Sequence, residues 1–238
     1  MRYSILMPFF NRVEFQYTLM SFEHHYSARN DYEVIVVEDI KTNTAMHSQL
    51  MDMLRKYENK INIRYFTFEN PGMIGTLLYN YAAKQASGDI LMLTNPECFH
   101  ESNILAGLDS EFKDNENKYI VCACKNVQYV SGDSFDNFKY NFLTWYEHES
   151  NRRLLHFCSA IQRSTYFSFG GFDPEFAKGI WYDDDDFKLS IIKTKIPIVS
   201  RDDLVTLHIN HDRSYCQTPH GDNLREINRR YLNKKWKL

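Results

Sequence analysis

Glycine and proline are scarce in this sequence, at 9 and 6 positions, which excludes a collagen-like repeat and a Gly- or Pro-rich disordered chain. Long apolar runs are also missing: none approaches the roughly 20 residues that a membrane-spanning helix needs. The opening Met1-Arg2-Tyr3-Ser4-Ile5-Leu6-Met7-Pro8 lacks the apolar region and small-residue cleavage site of a signal peptide. The expectation is therefore a cytoplasmic protein, peripheral to a membrane at most. No excess of one charge is present, since 28 Lys and Arg stand against 31 Asp and Glu, for a net charge of −3. The chain as a whole is thus no electrostatic nucleic-acid binder, and any basic surface is local. The 5 cysteines (Cys98, Cys122, Cys124, Cys158 and Cys216) are odd in number and lack a CxxC pair, which fits reduced core thiols rather than a disulfide framework or a zinc site. What is present suits a folded domain: 238 residues, 43% of them hydrophobic, are ample for a buried core.

The first hundred residues alternate short apolar runs with longer mixed segments, the rhythm of strands separated by helices in a parallel sheet. Tyr3 to Met7, Val34 to Val37, Ile61 to Phe66 and Ile90 to Leu93 read as strands, the second rich in β-branched residues. Met73 to Ala86 reads as a helix, because Ile74, Leu77, Leu78, Tyr81, Ala82 and Gln85 fall at three-and-four spacing. The second half is less regular. A helix over Asn103 to Phe112 and a strand over Tyr119 to Cys124 precede an irregular aromatic stretch from Gln128 to His156. Four aspartates, Asp183 to Asp186, then stand before a helix from Phe187 to Lys195, and a last strand runs over Leu204 to Ile209. The tail from Asn223 to Leu238 reads as a basic helix, with Arg225, Arg229, Arg230, Lys234, Lys235 and Lys237 against Glu226 alone.

Ligands of open α/β sheets bind beyond the carboxyl ends of the strands, so polar residues there carry the most information. Four such places stand out: Pro8 to Arg12, Glu38-Asp39, Thr94-Asn95-Pro96-Glu97, and the aspartate run with the later His208 and His211. Four adjacent acids exceed what a helix start needs, and they repel one another. Crowding raises a carboxylate's pKa, which suits a general base.

Taken in order, Ser4 to Arg12, Val34 to Asp39, Gly88 to Leu93, Gly170-Gly171-Phe172-Asp173 and Asp183 to Asp186 resemble the family 2 glycosyltransferases of the A fold. That large inverting group uses nucleotide-diphosphate sugars, and the likeness covers most of residues 1 to 210. Gly170 to Phe187 is also similar to the catalytic segment of the β-galactosyltransferases and polypeptide N-acetylgalactosaminyltransferases, where a Trp-containing turn precedes an acidic run. The resemblance implies a single Rossmann-like α/β domain over 1–238, with a mostly parallel central sheet flanked by helices. Its parts would be a nucleotide-sugar half (1–97), an acceptor and catalytic half (98–218) and a basic tail (219–238).

By the same resemblance, Pro8, Phe10 and Arg12 would lie along the nucleotide. Asp39, with Glu38 beside it, would accept a hydrogen bond from the base imide, which favours UDP. Gly72, in Pro71-Gly72-Met73, and Asn80, with Tyr79, fall in the region that closes over nucleotide and sugar. At the family's Asp-x-Asp position this chain reads Asn95-Pro96-Glu97, so Glu97 would stand as the metal-bound acid for Mn or Mg, with Asn95 in the place of the first acid. His208, ahead of His211, would be the late histidine ligand. Asp184 would be the base that deprotonates the acceptor hydroxyl, Asp183 and Asp185 would hold the acceptor, and Trp181 would stack on it.

The implied function is metal-dependent transfer of a hexosyl or N-acetylhexosaminyl group to a glycan, lipid-linked or nucleobase hydroxyl. One alternative is a viral-type enzyme that glycosylates hydroxymethylated DNA bases, with residues 223–238 meeting DNA; the same tail could instead meet an anionic membrane surface. Another is a non-catalytic nucleotide- or glycan-binding module. A nucleotidyltransferase is disfavoured because no glycine-and-lysine-rich phosphate loop lies near Pro8.

Overall fold

A computed structural model describes residues 2–72, 75–114 and 117–238, with Tyr215 described by its backbone only. Met73 and Ile74, part of the expected third helix and of the expected Pro71-Gly72-Met73 closure, lie outside the described residues.

Four strands, β1 (Tyr3–Phe9), β2 (Tyr32–Asp39), β3 (Ile63–Phe68) and β4 (Ile90–Thr94), form the first part of the sheet. They pair in parallel in the order β3-β2-β1-β4, with Ile5 opposite Val34 and Met92. Every residue of β1, β2 and β4 is buried, as strands covered by helices on both faces must be. Helices α1 (Phe15–Tyr26), α2 (Thr44–Tyr57) and α3 (Thr76–Gln85) make the crossovers. Phe15, Leu19, Phe22 and Leu50 of α1 and α2 pack on one face, over Ile5, Met7, Val34 and Val36. Leu78, Ala82 and Ala83 of α3 cover the other face, over Leu6, Ile35, Val37 and Leu93.

The second half extends this sheet with β5 (Cys98–His100), β6 (Tyr119–Ser131), β7 (Lys139–Glu147), β8 (Cys158–Gln162) and β9 (Ile198–Ile209). Helices α4 (Ile104–Glu111), α5 (Arg163–Ser168), α6 (Asp183–Thr194) and α7 (Pro219–Trp236) complete the α/β domain. The described sheet has 9 strands and is mixed rather than mostly parallel. β8 inserts antiparallel between β4 and β6, β5 runs antiparallel to β9, and only the β6–β9 pair adds parallel pairing.

Three expectations about elements are corrected. The aromatic stretch from Gln128 is no loop: it continues β6 to Ser131 and folds back as β7, a half-exposed ribbon with bulges that blur a two-residue alternation. The acids do not precede a helix that starts at Phe187; they are the first turn of α6, where their charge meets the helix dipole. The last strand begins six residues earlier than Leu204, at Ile198.

Two turns set the entry to α6. Gly170 and Gly171 take φ of 91° and 70°, and a Cβ on Gly171 would strike Tyr166 and Asn80 at 2.5 and 2.6 Å. Phe172 then stacks on Phe187 at 4.4 Å. Trp181 and Tyr182 are both left-handed, at φ 64° and 65°, a conformation that costs non-glycine residues about 1–3 kcal/mol each. Helix α7 holds this turn: Asn228 Nδ2 donates to the carbonyls of Phe176 and Trp181, at 2.9 Å each. No described helix is long and apolar enough to cross a membrane.

Candidate active site

The sheet's register brings the first cluster together. β4 ends at Thr94, the chain turns through Asn95 and Pro96, and β5 pairs with β9 so that Cys98 faces His208. Glu97 is thereby buried against the histidines, with His208 Nε2 at 3.4 Å and His211 Nε2 at 3.5 Å from its Oε1. Arg12 Nε lies 3.4 Å from Oε2, and Asn95 Nδ2 donates to Oε1 at 3.2 Å. Burial alone would raise the Glu97 pKa, but the two histidines and the Arg12 guanidinium more than reverse it and hold the carboxyl well below its usual range.

One ligand atom from each of Glu97, His208 and His211 falls within 4.8 Å of the others. His208 Nδ1 faces Asn126 Oδ1 at 3.2 Å, and His211 Nδ1 faces the Asp212 carbonyl at 3.0 Å. Each ring engages an oxygen through Nδ1 and turns Nε2 inward toward Glu97, and it is the Nε2 lone pair that a metal would take. Arg213 Nη2 donates to that lone pair of His208 at 2.9 Å. Burial keeps the His208 pKa below its ordinary value, so the ring is neutral. This donor set, one carboxylate oxygen and two imidazole nitrogens, fits a divalent ion such as Mn.

The second cluster sits at the N-terminus of α6. Thr76 Oγ1, in the first turn of α3, donates to Asp183 at 3.1 Å. Asp184 is ion-paired with Nδ1 of His156, a buried histidine just before β8. Crowding does not act on Asp184 in the expected way. Burial and the neighbouring Asp184 carboxylate push Asp183 up to about 6. Burial would likewise raise Asp184, but His156 outweighs it and the Asp184 pKa is lowered. The remaining acids are engaged elsewhere: Lys188 pairs with Asp185 at 2.7 Å, while Lys235 and Trp236 of α7 bind the buried Asp186 at 2.8 and 2.7 Å.

Tyr79 bridges the clusters. Its hydroxyl donates to Asn95 Oδ1 at 2.6 Å, and its ring meets His156 edge-on at 5.2 Å and Phe172 at 5.3 Å. Trp181 is 49% exposed, with the Arg225 guanidinium 4.6 Å from its ring centre, so it is a surface rather than a core aromatic.

The expected donor residues divide. Arg12 and Asn95 join the Glu97 cluster. Pro8 is buried at the end of β1, and Phe10 is 40% exposed just beyond it. Asp39 Oδ1 accepts from the Lys41 amide at 3.0 Å, and Lys41 Nζ reaches the Gly72 carbonyl at 3.2 Å, which places Asp39 and Gly72 near one another. The Glu38 side chain points away from that of Asp39. Strand alternation turns it to the opposite face, where His47 Nδ1, at 2.9 Å, and the Tyr65 hydroxyl hold it. A cavity of about 240 Å³ lies there, lined by Glu38, Ile40, Thr42, Thr44, His47 and Thr67. Asn80 braces the glycine turn, donating to the Phe172 carbonyl at 2.7 Å and accepting from the Tyr166 hydroxyl at 2.7 Å.

Sequence reasoning missed His156, Thr76 and Arg213. His156 lies in the run Leu154-Leu155-His156-Phe157-Cys158, where a single polar residue inside an apolar stretch is the only signal that could have singled it out.

Comparison with known proteins agrees with this architecture. The profile of glycosyl transferase family 2 matches residues 4–174, so the chain belongs to that family of glycosyltransferases. No curated protein sequence matches it. Among solved structures it is similar to S. aureus TarS 1–349 in complex with UDP-GlcNAc, with a TM-score of 0.70 and 16% identity over 95% of this chain and 64% of that one. It is also similar to the mannosyltransferase PcManGT from Pyrobaculum calidifontis in complex with GDP-Man and Mn2+, with a TM-score of 0.65 and 14% identity over 91% of this chain and 59% of that one. A third is GalNAc-T7 with UDP, GalNAc and Mn2+, with a TM-score of 0.65 and 14% identity over 98% of this chain and 50% of that one. The chain thus spans less than two thirds of the length of each, and at these identities the likeness is one of fold, the glycosyltransferase-A fold.

Proposed function

We propose that this chain is an inverting glycosyltransferase that moves a sugar from a UDP-linked donor to an acceptor hydroxyl with the help of a divalent metal. The observation that carries this reading is the convergence of Glu97, His208 and His211, with Arg12 beside them, one tyrosine away from the acidic pair Asp183 and Asp184. Relatives of the same fold that are bound to UDP-GlcNAc, GDP-Man and Mn2+ support it.

In this reading Asp39 and Gly72 bind the nucleoside, and Arg12 pairs with diphosphate charge. Glu97, His208 and His211 would hold the metal, which supplies positive charge against the departing diphosphate. Trp181 stacks on the acceptor and Asp183 holds one of its hydroxyls. Asp184 takes the proton of the reacting hydroxyl, its oxygen forms the new bond to the anomeric carbon from the face opposite the diphosphate, and the bond to the diphosphate oxygen breaks. Residues 1–97 would serve the donor and 98–218 the acceptor.

The tail does not favour a DNA or membrane reading. α7 is docked, with Lys235 on Asp173 and Asp186 and Arg225 on Trp181, while Arg229 and Arg230 are paired with Glu226 of the same helix. The acidic pair argues against a mere binding module, which has no use for a base.

The test is to incubate the protein with UDP-sugars, Mn and a panel of glycan acceptors and to read the product linkage by NMR. A product with the anomeric configuration opposite to the donor's supports the proposal. A product with retained configuration overturns it.

A further inference from the structure

His156 is a buried titratable group that the mechanism above does not use. It is 6% exposed and is boxed in by aromatic rings: Tyr79 at 5.2 Å, Phe172 at 4.9 Å, Phe157 at 6.1 Å and Phe187 at 6.2 Å. An imidazole in so apolar a setting loses its charge unless a partner keeps it there. Its Nδ1 is ion-paired with Asp184 Oδ1, at the N-terminus of α6. An N–H locked between rings fixes the orientation of the carboxylate it binds, as an aspartate fixes a histidine in the serine hydrolases.

We propose that His156 is the positioning residue of the acceptor site: its Nδ1–H holds Asp184 oriented toward the acceptor hydroxyl and pairs the charge of the adjoining acids. This inference rests on the proposed function for its catalytic meaning, though not for the ion pair itself. Two carboxylates on successive residues of α6 repel each other, and a cation beside one of them lets both ionise together. His156 acts in that sense on each, since its charge lowers the pKa of Asp183 as well as that of Asp184. In return the acids oppose the burial of His156 and raise its pKa above the ordinary value.

Other groups face this pair. Asp183 and Lys188 share its helix, Arg153 comes from the segment before β8, and Tyr79 and Tyr119 come from α3 and β6. Lys188 is bound to Asp185, and Arg153 is exposed. His156 is the buried cation in contact with Asp184.

Two measurements on the full chain test the proposal. The first is the titration of the His156 ring by NMR in the wild type and in Asp184→Asn. The wild-type ring should titrate above about 6.5, the usual histidine value, and Asp184→Asn should bring it to that value or lower, because burial then acts unopposed. A wild-type ring that titrates at or below the usual value overturns the pair, whether or not the protein transfers sugar. The second is the pH profile of kcat/KM for the acceptor in His156→Asn, which keeps an amide N–H near the place of Nδ1 and removes the charge. The acid limb should move up by about one to three pH units, with a greater loss at pH 6 than at pH 8. A uniform fall in kcat/KM with the limb unmoved would reduce His156 to a packing residue. If no donor is turned over by any form, the proposed function fails, while the NMR titration still decides the pair.

Discussion

Asp183 is where function and stability oppose each other at the scale of a single residue. Its pKa lies above that of a free aspartate, at about 6, so the folded state binds more protons than the unfolded one between roughly pH 4 and pH 6. Stability therefore falls as pH rises through that window, and at neutral pH the ionised Asp183 weighs against the fold. Asp183→Asn, which can still accept the Thr76 hydrogen bond, should stabilise the protein by about 1 kcal/mol at pH 7 and by nothing near pH 4 in urea unfolding. Equal stability of the two forms at pH 7 would contradict the account. Asp184→Asn is a different case, because it removes the proton acceptor. The turnover number should fall about 100- to 10,000-fold while the affinity for the donor nucleotide stays within about twofold, as read by single-turnover kinetics and calorimetry. The aspartate run was legible in the sequence because four adjacent acids exceed what a helix start needs. His156 was not, because burial turns an ordinary histidine into a partner, and no spacing in the sequence announces burial.

At the scale of an element, α7 is a clamp. The sequence shows its basic residues but not where they point: Lys235 closes on Asp173 and Asp186, Arg225 lies on the Trp181 ring, and Arg229 and Arg230 pair with Glu226 of the same helix. Tyr231 and Lys235 bind Asp173 at 2.9 and 2.8 Å, Trp236 binds Asp186, and Asn228 ties down the left-handed turn at Trp181. Gly179 fits beneath the helix because a Cβ there would meet the Leu224 carbonyl at 2.3 Å. Asn228 is fully buried, and its loss removes the two hydrogen bonds that it donates to the Phe176 and Trp181 carbonyls. Asn228→Ala should cost about 1–3 kcal/mol of stability, measured by chemical denaturation. Arg225→Ala, which removes the guanidinium from behind the Trp181 ring, should raise the acceptor KM several-fold and leave nucleotide affinity unchanged. A fall in nucleotide affinity instead would mean that α7 serves the donor side. The β6–β7 ribbon was the other element hidden from the sequence. Phe142 and Leu143 are about half exposed, so the strand carries no clean alternation of buried and exposed residues.

At the scale of the whole molecule, the two halves were unequally legible for one physical reason. Parallel strands covered on both faces read as unbroken apolar runs, and β1, β2 and β4 were found close to their true bounds. Strands that enter a sheet from distant parts of the chain, as β5, β8 and the start of β9 do, depend on pairing that short sequence windows do not contain. Alternation along β2 turns the Glu38 and Asp39 side chains to opposite faces of the sheet, a separation that the sequence period already contains. The metal cluster joins residues from both halves, Glu97 after β4 and His208 and His211 at the end of β9, so it tests the assembled fold as well as the chemistry. The most direct measurement is the melting temperature with UDP, with and without Mn, for the wild type and for Glu97→Ala. Ligand at about 100 times its dissociation constant adds about 2.7 kcal/mol, or about 5–10 °C for a domain of this size. The account predicts a rise of that order with UDP and Mn together, a smaller rise with UDP alone, and no effect of Mn in Glu97→Ala. An equal response to UDP with and without Mn in the wild type, or an undiminished Mn effect in Glu97→Ala, would contradict it.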